Sequence, residues 1–152
     1  MNGTTRPYRE LLSEFEEVLK YPRERKEHPA GLPEIERLTY DFCADRRCIC
    51  IRMNVPIHDF ILKMVAEGEG FKYGWRPERP GTPETITIIR PRRGWFGQTI
   101  LTTQPYVNHE GPLLMIPPKS AELAADYLSR YLELHRMKAA QDLHDTPALV
   151  RI

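Results

Sequence analysis

Apolar positions change period along this chain, and the changes mark out its elements. Tyr8, Leu11, Leu12, Phe15, Val18 and Leu19 recur at helical spacing, which predicts a helix over Pro7–Lys20. Pro7 suits the first turn, where a missing N–H is harmless, and Pro22 closes the segment. A polar stretch of mixed charge, Tyr21–Pro33, reads as a solvated connector. The period then drops to two. Leu38, Tyr40 and Phe42 alternate on one strand, and Ile49, Ile51, Met53 and Val55 on the next, with Ala44, Asp45 and Arg46 as the turn. Cys48, Cys50 and Arg52 fall on the opposite face from Ile49.

A second helix opens at Pro56. Ile57, Phe60, Ile61, Met64 and Val65 define its expected inner face, and Gly68 and Gly70 stop it. Strands follow at about Phe71–Trp75, Thr85–Arg90, Gln98–Gln104 and Leu113–Ile116, broken by proline-rich connections. The last helix spans Ser120–Leu143, with Ala124, Tyr127, Leu128, Tyr131, Leu134 and His135 on its inner face. Strand runs without regular β-α-β alternation predict an α+β domain. Its antiparallel sheet carries N-terminal, middle and C-terminal helices. One domain is expected over 1–152, with 145–152 as a loose tail. The expected core includes Leu11, Phe15, Ile51, Met53, Phe60, Ile61, Ile88, Leu128 and Tyr131.

Composition narrows the setting. No apolar run approaches the length of a bilayer span, and the N-terminal segment lacks the apolar core of an export signal. Three cysteines without such a signal predict reduced thiols and a cytoplasmic location. Nine of the 14 prolines lie between Pro77 and Pro147, which favours stiff, ordered connections over a disordered tail.

The overall charge of +1 hides an uneven distribution. Residues 71–97 hold Lys72, Arg76, Arg79, Arg90, Arg92 and Arg93 against Glu78 and Glu84, a net +4, while the rest of the chain has 16 basic and 19 acidic residues, a net −3. Phe71, Tyr73, Trp75, Trp95 and Phe96 are interleaved with these cations. Arginine forks onto phosphate, and aromatic faces stack on unpaired bases. Tryptophan, tyrosine and arginine also dominate protein–protein hot spots. The expected function is therefore a non-catalytic binding module acting on nucleic acid or an acidic protein surface. Its site would be Lys72, Arg76, Arg79, Arg90, Arg92, Arg93 and Trp95. The alternatives are an accessory or structural subunit of a larger protein complex, and a hydrolase-type enzyme centred on His109 and Glu110.

Other motifs are weaker. His109 beside Glu110, near Tyr106 and Asn108, could do acid–base work, but no nucleophile motif or glycine-rich phosphate loop accompanies them. Cys43, Cys48 and Cys50 lack the second ligand pair of a zinc cage, so neither zinc nor an organic cofactor is expected. Pro77, Pro80 and Pro83 form two overlapping Pro-x-x-Pro units, which read as a stiff connection rather than a ligand for a proline-binding groove.

Overall fold

The computed structural model describes residues 25–27, 34–43, 46–93, 95–105 and 111–145. The expected helix over 7–20 and the tail after 145 lie outside them.

The elements run β1 (Arg25–Glu27), β2 (Ile35–Cys43), β3 (Arg46–Met53), α1 (Asp59–Glu69), β4 (Lys72–Arg76), β5 (Thr85–Arg92), β6 (Trp95–Pro105), β7 (Pro112–Ile116), a 3-10 turn (Pro118–Ser120) and α2 (Ala121–Asp145). The seven strands form one antiparallel sheet in the order β1-β2-β3-β7-β6-β5-β4. β7 therefore inserts between two hairpins that are distant in sequence. The α+β class and the antiparallel sheet hold, with a middle and a C-terminal helix.

Alternation decides which face is buried. Leu38, Ile49, Ile51, Met53, Ile86, Ile88, Leu114 and Ile116 share one core with Ile61, Leu62, Val65 and Ala66 of α1 and Ala124, Tyr127, Leu128 and Tyr131 of α2. Buried hydroxyls tie the two helices together. Tyr127 donates to the Leu62 carbonyl at 2.6 Å, and Tyr131 accepts from the His58 amide at 2.9 Å. Burial pushes both phenols up, that of Tyr131 to about 12, so each acts as a neutral hydrogen-bonding group.

Two expectations need correction. Phe60 is 72% exposed, not core. Apolar residues cover more than half of the circumference of α1, and the sheet and α2 take the face of Ile61, Leu62, Val65 and Ala66, which turns Phe60 and Met64 outward. The Tyr21–Pro33 connector contains a strand, because the exposed edge of β2 can pair Arg25–Glu27 with Thr39–Arg37. The stiff connection expected over Pro77–Pro83 takes the form of a tight hairpin. Arg79 and Thr82 exchange both backbone hydrogen bonds at 2.9 Å across Pro80 and Gly81. Pro80 presets the first corner and Gly81, at φ 80°, takes the left-handed second corner, as a type II turn requires.

At the sheet's far corner, Arg136 of α2 donates two hydrogen bonds of 2.7 Å to the carboxylate of Glu34, which is 8% exposed. Burial alone would raise the Glu34 pKa; the Arg136 fork and its charge, with a backbone hydrogen bond, together outweigh it and hold the group below its ordinary 4.5. Beside it, His135 stacks on Tyr131 and lies 5.3 Å from the His58 ring. Burial, then the neighbouring His58, hold His135 below its ordinary 6.5. Among the described residues its Nδ1 has no hydrogen-bond partner.

Both shifts carry the same sign for stability. A histidine kept neutral in the fold resists charging, so stability drops as pH falls below 6.5 toward its lowered value. A carboxylate held ionised contributes above its unfolded value and loses that contribution as pH falls below 4.5 through its lowered value. Chemical denaturation across pH 8 to 3 is expected to show two successive declines, with His135→Leu lacking the first. A midpoint flat through the histidine range would contradict this assignment.

Candidate polyanion-binding surface

The antiparallel registers place the basic residues. Lys72 of β4 pairs with Ile89 of β5, and Arg76 pairs with Thr85. Lys72 therefore stands at the end of the sheet where Arg90, Arg92 and Arg93 emerge. Arg76 and Arg79 stand at the opposite end, about 13 Å along the strand from Lys72. The hairpin at Pro80–Gly81 continues away from the tip and does not fold back, so the structure divides the sequence-predicted site in two.

Two further cations join the first group. Ile116 pairs with Ile49, Met115 with Thr102, and Arg90 with Gln98. Continuing these registers by two or three residues brings Arg47 of β3 and Lys119 of the 3-10 turn to the same end as Gln98 and Arg90. Lys72, Arg90, Arg92, Arg93, Arg47 and Lys119 are all exposed. They are spread over the ends of β3, β7, β6, β5 and β4, about 19 Å of sheet at normal strand spacing. Sequence reading missed Arg47 and Lys119 because their proximity depends on strand order.

Local packing fixes the hairpin tip. The β5–β6 register shifts between Ile88 and Ile89 and again between Arg90 and Arg92, which turns the arginines relative to the flat ladder. Gly97 permits the close approach: a Cβ there would overlap the Ile89 side chain and sit 2.6 Å from the Arg90 carbonyl oxygen. Arg92 donates to the Gln98 side chain at 3.2 Å, and Gln98 donates to Ser120 Oγ at 3.1 Å. One polar chain thus runs from the tip to the start of α2.

The aromatic residues are distributed differently. Phe71 and Tyr73 pack against the core, Phe71 with its ring 6.2 Å from that of Tyr127. Trp75 is exposed at the other end of the sheet, where its indole N–H donates to Glu84 at 2.6 Å. Trp95 pairs with Arg92 through its backbone, but its side chain and that of Phe96 are outside those described. Phe71, Tyr73 and Trp75 therefore form no stacking platform with the arginines.

The end holding Arg76 and Arg79 is chemically distinct. A cleft of about 210 Å³ there is lined by Asp59, Glu84, Thr103 and Gln104 among others. Burial and the neighbouring Glu84 raise the Asp59 pKa. Residues 106–110, with Tyr106, Asn108, His109 and Glu110, lie outside the described residues. Acidic groups also gather on the helical layer: burial, Glu122 and Glu69 raise the pKa of Asp126. Among the described residues no three His, Cys, Asp or Glu side chains converge as metal ligands, and no helix is long and apolar enough to cross a membrane.

No protein family, curated protein or solved structure matches the chain. The site's own geometry is therefore the basis for a functional reading.

Proposed function

We propose that the protein is a non-catalytic module that binds nucleic acid through its phosphate backbone. The surface is Lys72, Arg90, Arg92 and Arg93, extended by Arg47 and Lys119. One observation carries the reading: these cations come from well-separated parts of the chain and stand at one end of five adjacent strands. A line of phosphates has the complementary shape and charge, and guanidinium forks suit phosphate oxygens. With the described aromatics placed elsewhere, affinity comes from charge more than from stacking, so little sequence preference is expected. Arg76 and Arg79, at the sheet end that holds Asp59 and Glu84, are outside this surface, and Trp95 enters only through its backbone pairing with Arg92.

A mutational map tests the division. Arg90, Arg92 and Arg93 replaced together by Ala are expected to weaken binding to a fluorescent oligonucleotide by more than about tenfold at low salt while leaving the thermal midpoint nearly unchanged. Replacing Arg76 and Arg79 by Ala is expected to change affinity less than about threefold, because rim charges outside a contact contribute little. Equal losses from both sets would overturn the placement. An acidic protein partner bound with little salt sensitivity and dependent on Trp95 would replace nucleic acid as the ligand.

A further inference from the structure

We propose that Cys48, Cys50 and Met115 form a three-sulfur site for a soft monovalent metal ion, Cu(I). Cys48 and Cys50 alternate onto the sheet face opposite Ile49 and Ile51, so their side chains stand on the same side of β3. Their sulfurs are 3.6 Å apart, and neither is in a disulfide. Met115 of β7 is the direct cross-strand partner of Cys50. Directly opposed side chains in an antiparallel pair share a face and lie within reach of one another. Met115 and Cys48 also line one cavity of about 400 Å³, together with Arg47, Thr102, Pro117, Pro118 and Lys119.

The donor set selects the ion. Thiolate and thioether sulfur favour Cu(I) over hard cations. Zinc prefers four ligands from sulfur, imidazole or carboxylate; among the described residues no third such group converges with the two thiols, and Asp41, the cross-strand partner of Cys48, has a side chain outside those described. Three sulfurs about 2.3 Å from a central ion lie about 4 Å from one another, close to the spacing of the two thiols. Cys48 and Cys50 are 7% and 8% exposed, which shields a bound ion, while the cavity beside Cys48 supplies a route in.

Charge balance is compatible. Binding forms two Cu–thiolate bonds and one Cu–thioether bond and releases two protons to solvent, with no change in oxidation state. The resulting centre carries one negative charge, and two cationic residues, Arg47 and Lys119, line the cavity. The sulfur donors are other residues than the proposed phosphate contacts, although Arg47 and Lys119 border both, so loss of Cu(I) from the Cys48 and Cys50 variants is distinguishable from loss of phosphate binding in the Arg90, Arg92 and Arg93 variant.

The test is anaerobic titration of the reduced full chain with Cu(I) against bathocuproine disulfonate, a chromogenic Cu(I) chelator. Wild type and Cys43→Ser are expected to retain one equivalent. Cys48→Ser and Cys50→Ser should each retain Cu(I) at least about 100-fold less well, and Met115→Leu about tenfold less well. X-ray absorption should show only sulfur neighbours in the wild type. A second measurement avoids dependence on variant folding: Cu(I) should protect Cys48 and Cys50 of the wild type, but not Cys43, from iodoacetamide. Loss of all copper from the wild type to the chelator, retention by a Cys48→Ser/Cys50→Ser double variant, or absence of protection would each overturn the proposal.

Discussion

Replacing Ile51 with Ala is expected to destabilise the protein by about 2–5 kcal/mol, while replacing Phe60 with Ala changes stability by less than about 0.5 kcal/mol. Ile51 is fully buried between its β2 partner Leu38 and its β7 partner Leu114, and all three are core residues. Removing its side chain beyond Cβ leaves a cavity that two flanking strands cannot close, so a dispersion loss adds to the transfer term. Phe60 has the larger apolar side chain, yet at 72% exposure it has little burial to lose. Urea denaturation of both variants reads the contrast directly. A large loss at Phe60 would show that something covers the outer face of α1. A small loss at Ile51 would contradict the sheet register.

That contrast also shows what periodicity reveals. The strands of the β2–β3 hairpin, the β5–β6 hairpin and α2 are legible because their apolar residues lie on one narrow face. The buried face of α1 is not. Ile57, Phe60, Ile61, Leu62, Met64, Val65 and Ala66 wrap so far around the helix that two rotations satisfy the pattern. Only the positions of the sheet and of α2, the latter tied by the bond from Tyr127 to the Leu62 carbonyl, choose between them. β1 was hidden for another reason: Arg25, Lys26 and Glu27 have no apolar alternation, and their pairing depends on the open edge of β2. The Pro80–Gly81 turn, in contrast, follows from local backbone chemistry alone.

The candidate site was legible in the same partial way. The basic segment is visible in composition, and the turn after Arg93 places Arg90, Arg92 and Arg93 together because they are near in sequence. Whether Arg76 and Arg79 join them depends on the course of the connection, and the antiparallel β4–β5 register puts them at the far end. Arg47 and Lys119 arrive only because β7 lies between β3 and β6. That arrangement joins segments far apart in the chain, and no local pattern encodes it. The thiol pair behaves likewise. Cys48 and Cys50 can be placed on one strand face from sequence, but Met115 becomes their neighbour through the same insertion of β7.

The reading of the basic end is at root electrostatic, and salt is its most direct probe. Each phosphate neutralised by a lysine or arginine releases condensed counterions, so affinity for a single strand falls with salt at a log–log slope of about −0.7 per contact. If four of the grouped cations engage, fluorescence anisotropy of a labelled single-stranded oligonucleotide should give a slope of about −3, or roughly a 50-fold loss of affinity between 50 and 200 mM salt. The variant with Arg90, Arg92 and Arg93 replaced by Ala should show a slope smaller in magnitude by about 2, with affinity lost most at low salt. Wild-type binding with a slope near zero, or a triple variant with an unchanged slope, would contradict a phosphate-binding surface at this end of the sheet.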